Sequence, residues 1–215
     1  TNIDALHAEL VGIAFSYEKG KGFYVPFPEN KEESILLIEK FRPFFENESI
    51  EKIGQNLKYD LKVLSNYSIQ VKGKLFDTMI AHYLINPEAK QSMDFLSTFY
   101  LNYQPVSIET LIGKKGKGQG NMRDLKPEEI CDYACEDADI TFQLKQLFEP
   151  EIQKPHLSEL FYKMEMPLVK VLKDMEYEGI SIDVPALIDY SKELDQTLIR
   201  LDSEIKAAAG EDFNI

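Results

Sequence analysis

Two helical segments each carry a polar residue and an acid four positions apart: Asn56 with Asp60, and Tyr133 with Asp137. A spacing of four puts both members of a pair on one helix face. Asp137 is the most telling of these residues. From Ile130 onward the helical repeat gathers Ile130, Tyr133, Ala134, Asp137, Ala138, Thr141 and Leu144 on one inward stripe. An ionised carboxylate is costly there unless a cation or strong donors accompany it. Two helices aiming an acid and a neutral oxygen at one point suit divalent cations with oxygen ligands. Paired ions roughly 3.5–4 Å apart stabilise the attacking and leaving oxygens of a phosphoryl displacement. In that scheme Asp137 and Asp60 are metal ligands, the Tyr133 hydroxyl orients an attacking water, and Gln55 and Asn56 hold substrate.

Two carboxylates fall short of the roughly four oxygen donors that such a site needs. The other acids are poorly placed: Asp4 and Glu9 do not form a close pair on one strand face, and Glu136 and Asp139 point off the Asp137 stripe. Plainer roles compete with the chemical ones. An inward aspartate often serves backbone donors instead of a metal, and Gln55 reads equally as a helix cap.

The elements that must position these residues follow from local signals. Residues 9–17 and 22–27 are β-rich, joined as a hairpin by Glu18-Lys19-Gly20-Lys21, with Pro26 suited to a strand end. A helix is predicted near 31–45 and a short strand around 50–54. Gly54-Gln55-Asn56-Leu57-Lys58-Tyr59-Asp60 then leads into a helix through about Ser65. Leu75-Phe76 reads as a strand, with Asp77 as N-cap of a helix Thr78–Leu84, and Ser92 starts another that fades by Asn102. Residues 104–125 look like loop. Their centre carries Lys114, Lys115 and Lys117, which suit phosphate contact or a solvated loop equally well. Pro127 opens the helix bearing Tyr133 and Asp137, running to about Phe148. Strands followed by alternating strand and helix imply an α/β domain, a mixed sheet flanked by helices.

Pro150 and Pro155 mark a change to long helices. The last begins at Asp183 and Pro185 and carries a seam of Leu187, Leu194, Leu198, Leu201 and Ile205, ended by Gly210. The seam reads as core packing rather than a dimer signal, so a monomer is expected.

The 215 residues, 44% hydrophobic, suit one full domain and a smaller piece. No run approaches the ~18 apolar residues of a membrane span, and the polar start is unlike a signal peptide, so a cytoplasmic protein without membrane contact is expected. A net charge of −13 argues against indiscriminate adhesion to nucleic acid but not against a local acidic site for cations. Cys131 and Cys135 lack further zinc ligands and read as plain thiols. His7, His82 and His156 share no spacing that suggests joint work.

Several stretches together resemble one family. Gly54-Gln-Asn-Leu-Lys-Tyr-Asp60 and Tyr133-Ala-Cys-Glu-Asp-Ala-Asp-Ile-Thr141 are similar to the second and third motifs of the 3′–5′ exonuclease domain of bacterial A-family DNA polymerases. Phe76-Asp77-Thr78-Met79 and Met93-Asp94-Phe95-Leu96 fit that domain too. Glu165-Met-Pro-Leu-Val169, Glu178-Gly-Ile-Ser-Ile-Asp183 and Ala209-Gly-Glu-Asp-Phe-Asn-Ile215 resemble the start of the polymerase domain. The resemblance implies a ribonuclease-H-like exonuclease domain over 1–153 and the first thumb helices over 154–215. It further implies proofreading of a single-stranded DNA 3′ end on a primer-template with two Mg²⁺ or Mn²⁺ ions. Asp60 and Asp137 would be the third and fourth metal acids and Tyr133 the water-orienting tyrosine. Ile3 would wedge against the terminal base, and Ile108 falls where an aromatic stacking residue is frequent. The family's first motif, an Asp-x-Glu pair on the opening strand, would fall just before Thr1, so weak metal binding and little activity are expected of this chain alone. Rival readings are an inactive exonuclease-fold module with a structural or DNA-binding role, and a ribonuclease D type of exonuclease.

Overall fold

A computed structural model describes residues 4–114, 116 and 118–214. Lys115 and Lys117 of the basic loop, and Ile3, lie outside the described residues. By contacts the chain forms two compact units, 1–177 and 178–215.

The first unit opens with the hairpin. β1 (Gly12–Glu18) and β2 (Lys21–Pro26) pair antiparallel, Phe15 opposite Phe23, with an irregularity before Glu18 meets Lys21. Pro26 ends β2, where its missing N–H breaks no ladder. The helix expected over 31–45 is broken into α1 (Lys31–Glu39) and α2 (Arg42–Phe45). Pro43 accounts for the break, because its ring would clash with the carbonyl four residues back. The turn at Phe41 stacks that ring on Phe15, 5.6 Å between centroids, and sets Phe44 edge-on to Phe15 at 5.5 Å.

β3 (Lys52–Gly54) and β4 (Leu75–Asp77) pair parallel, Gly54 opposite Asp77. Both strand directions therefore occur, as expected. The mixed sheet is divided, however: among the described residues no ladder joins β1 to β3. α3 (Leu57–Ser65) follows β3, and α4 (Thr78–Ile85) follows β4. α5 is Met93–Leu101; Ser92 stands at its start without a side-chain capping bond. The expected loop 104–125 contains a short helix, α6 (Ile108–Ile112), and a 3-10 turn, Met122–Asp124. Ser107, which accepts from Glu109 N, and the reciprocal Asn121 and Asp124 bonds supply their local capping.

α7 (Pro127–Ile152) is the long helix against which the hairpin, α4 and α5 pack. It continues a turn past the predicted end, with Pro150 inside it. Phe148 and Ile152 are both fully buried in the main core, and their burial outweighs the hydrogen bond that Pro150 removes. α8 (Pro155–Glu159), a π-helical turn (Leu160–Glu165) and α9 (Met166–Glu178) come next. The family resemblance places a boundary at 153/154. The contact boundary lies at Tyr177/Glu178, because Phe161, Met166 and Val169 bury themselves in the same core as Phe76 and Phe148.

The second unit holds α10 (Val184–Ala209), capped where Asp183 accepts from Ala186 N at 3.1 Å. Its seam does not pack as expected: Leu187, Leu194, Leu198, Leu201 and Ile205 all stay exposed. No described helix is long and apolar enough to cross a membrane.

Candidate functional site

The two paired motifs land on the two helices that border one cavity of about 810 Å³. α3 brings Asp60 to it, α7 brings Tyr133 and Asp137, and the end of β3 brings Gln55. The inward stripe of α7 divides its work as the sequence suggests. Ile130, Thr141 and Leu144 are buried, while Tyr133, Ala134, Asp137 and Ala138 line the cavity. Consecutive residues Gly12–Tyr17 of β1 and Lys52–Gly54 of β3 line it too. Side chains alternate across a strand, so a wall of consecutive residues presents the strand edge rather than one face. The cavity therefore lies between the unpaired edges of the two ladders.

Local geometry explains how α3 aims Asp60. Gly54 lets the corner close, since a Cβ there would stand 2.3 Å from the Leu57 side chain. Asn56 then takes the left-handed conformation, φ +64°, and turns the chain into α3. Asn56 is exposed beside the cavity and does not line it. The Gln55 amide is committed within the fold. Its Nε2 donates to Gln91 O at 2.9 Å, and its Oε1 accepts from the Thr78 hydroxyl. Ile108, at the start of α6, is exposed and does not line the cavity.

On α7 the Tyr133 hydroxyl hydrogen-bonds the Asp137 carboxylate. Burial pushes the Asp137 carboxyl up to about 6, the charges of Glu136 and Asp94 push the same way, and the Tyr133 bond opposes them. Tyr133 is itself raised, chiefly by burial and then by Asp137. Asp60 is pushed up to about 7, first by burial and then by the charge of Asp77. Its side chain is nonetheless exposed by surface area. Protein surrounds Asp60 densely while the cavity admits water to it. Two acids that resist ionisation beside one cavity are what a divalent cation would reverse, by supplying the missing positive charge.

Three further acids stand near the site, none of them given a role by the sequence reading. Asp94, in the first turn of α5, acts electrostatically on both Tyr133 and Asp137. Glu136 accepts from Val106 N at 2.7 Å and from the Tyr103 hydroxyl, tying the segment before α6 to α7. Asp139 accepts from Gly20 N at 2.8 Å and Gln143 Nε2 at 2.7 Å. The hairpin can press on α7 because Gly22 has no side chain; a Cβ there would meet Cys135 Cβ at 2.5 Å. The only sequence signal for Glu136 and Asp139 was their place beside the stripe. The cysteines are free, 3.9 Å apart, with Cys135 pushed up to about 11 by burial and then by Cys131. His82 is buried between Gln91 Oε1 and the Tyr100 hydroxyl, a structural role.

The profile of a 3′–5′ exonuclease family matches residues 1–153. The chain belongs to the 3′–5′ exonuclease family of A-type DNA polymerases. DNA polymerase I of Borreliella burgdorferi is 36% identical over 218 residues, covering 100% of this chain and 24% of the relative. DNA polymerase I of Pseudomonas aeruginosa is 33% identical over 226 residues, covering 100% of this chain and 24% of the relative. The chain thus spans about a quarter of the length of these curated relatives. A solved structure described as the POL domain of Pol1 from M. smegmatis, in complex with DNA primer-template and dNTP, superposes with a TM-score of 0.71. That likeness covers 91% of this chain and 30% of the other at 18% identity, and it shows the fold. The α/β architecture is accordingly the ribonuclease-H-like one of this family.

Proposed function

We propose that the chain is the 3′–5′ exonuclease region of a bacterial DNA polymerase I, which trims mismatched nucleotides from primer 3′ ends during replication and repair. The observation that carries this reading is the convergence of Asp60 and Asp137, from separate helices, on one cavity with Tyr133 bonded to Asp137. The donor chemistry fits Mg²⁺ or Mn²⁺: Asp60 and Asp137 offer oxygen ligands, and Glu9 and Glu51 also line the cavity. The number fits only half of a two-ion site, since the described residues hold no cluster of three or more ligating side chains. Asp60 and Asp137 would hold the ions, which supply charge neutralisation at the phosphodiester when bound. Tyr133, through its hydroxyl, would orient the attacking water against Asp137. Asn56 and Ile108, with Ile3, would contact the DNA end, and Gln55 would first have to release Thr78 or Gln91.

The unpaired edges of β1 and β3 suggest where the other two acids belong. A strand paired to both edges would complete the mixed sheet and end beside Asp60 and Asp137. The family's Asp-x-Glu pair, carried on such a strand, would supply the missing ligands. The parent protein is read as cytoplasmic, acting on DNA as a monomer, with residues 154–215 opening its thumb.

The test is an assay of single-stranded DNA degradation by this chain and by a chain extended at its amino end with the parent sequence. The extended chain should degrade DNA from the 3′ end, with loss on EDTA treatment or on Asp137→Ala, while the present chain is at least about 100-fold slower, as expected when ligands are lacking. Equal, EDTA-sensitive activity in the two chains overturns the incomplete-site reading. An extended chain that binds DNA without cutting it favours the structural module instead.

A further inference from the structure

Asp77, only 1% exposed, ends β4 directly opposite Gly54 of β3. Its carboxylate accepts four backbone N–H groups. Met79 N at 2.9 Å and Ile80 N at 3.3 Å bond to Oδ1; these belong to α4 and make Asp77 the ordinary N-cap that the sequence suggests. The other two lie some twenty residues back along the chain. Asn56 N reaches Oδ1 at 3.2 Å and Leu57 N reaches Oδ2 at 2.7 Å. They are the first donors of α3, whose own N-cap residue, Asn56, makes no side-chain capping bond.

One buried carboxylate therefore closes the N-termini of two helices. Orphan donors at a helix start need an acceptor, and the positive ends of both helix dipoles favour a negative one. The closure matters at α3 because Asn56 is held at φ +64°, in the left-handed region that residues with a side chain seldom adopt. Such a corner persists only when its surroundings impose it. Asp60 leaves the first turn of α3 immediately after the corner.

We propose that Asp77 is a positioning residue for the cation site: by clasping the Asn56-Leu57 corner it fixes the direction from which Asp60 meets the cavity, although it is not itself a ligand. The inference rests on the cation role given to Asp60 and Asp137 above. It differs from a simple capping role, in which loss of Asp77 would weaken α4 and leave Asp60 in place.

Asp77→Ser separates the two. Serine caps a helix well, but its single hydroxyl oxygen can serve α4 and not also the α3 corner. Asp77→Asn, which keeps size and one acceptor oxygen, carries the same test if the serine variant fails to fold. The probe is Mn²⁺ alone, titrated into the 215-residue chain while residue-resolved amide spectra report paramagnetic broadening. In the unaltered chain, broadening should develop together around Asp60 and around Asp137. In the variant the Asp137 region should respond at similar Mn²⁺, while the Asp60 region needs at least about tenfold more, and the Leu57 amide should exchange faster. Parallel broadening at both acids in the variant overturns the positioning role alone. A lack of focused broadening in the unaltered chain overturns the cation site, and the positioning role with it.

Discussion

Asp139 of α7 accepts the backbone N–H of Gly20, at the tip of the hairpin, at 2.8 Å. Two residues earlier the same helix carries Asp137. The bond therefore ties β1, one wall of the cavity, to the helix that bears the site acid. Asp139→Ala should free the hairpin tip at a cost of about 1 kcal/mol, the usual net value of one such bond. Urea unfolding would read the loss, and amide exchange should localise it to residues 18–22. An unchanged Gly20 exchange rate would show that the tip is held by its ladder alone.

The raised acids give the protein a pH signature. Asp60 at about 7 and Asp137 at about 6 hold their protons more tightly in the fold than in the unfolded chain, where carboxyls titrate near 4. Folding thus takes up protons between those values. The stability these groups contribute is complete below about pH 4 and is lost as pH rises through 6 to 7. Without metal, urea midpoints should fall between pH 5 and pH 8. Mn²⁺ should restore stability mainly at the higher pH, because it binds the ionised forms. In Asp60→Asn/Asp137→Asn the slope should flatten and the Mn²⁺ effect disappear. Persistence of both in the double variant would assign them elsewhere.

Tyr133→Phe isolates one hydroxyl. Its bond to Asp137 is the influence that lowers the Asp137 carboxyl against burial, so removing it should move that carboxyl further up. Mn²⁺ broadening around Asp137 should then require higher pH, with little change around Asp60. In the amino-terminally extended chain, nuclease turnover should fall by about 100-fold if the hydroxyl orients the attacking water. A normal turnover would remove Tyr133 from the chemistry and leave it as a support for Asp137.

The helical repeat made the α7 stripe legible, because one face of a long helix is written locally at a fixed period. The same holds for Asn56 and Asp60, and for Asp77 as the cap of α4. The second task of Asp77 was not legible, since its acceptor capacity for Asn56 and Leu57 appears only when β3 and β4 pair Gly54 with Asp77. Pro150 misled for a related reason: a local breaker was overruled by the distant partners that bury Phe148 and Ile152. Pro43, which does break a helix, lay inside a run read as continuous. The short α6 was too brief to show a period at all.

The fate of residues 154–177 follows from the core they enter. Phe161 is fully buried, its ring centroid 4.9 Å from that of Phe76, and Met166 and Val169 are buried beside it. Phe76 belongs to β4, next to the carboxylate that clasps α3. A chain ending at Gln153 would strip all three side chains from this core, and truncating a single buried phenylalanine to alanine already costs about 3–5 kcal/mol. That is a large share of the roughly 5–15 kcal/mol that holds a domain folded. The chain ending at Gln153 should therefore lose its cooperative thermal transition or melt far lower, while a chain ending at Tyr177 melts close to the full chain. Phe161→Ala in the full chain should reproduce much of the loss, without removing any residue near Asp60 or Asp137. Equal melting of the two shortened chains would mean that the core closes without α8 and α9, and that the end of the exonuclease family match at residue 153 is also the boundary of folding.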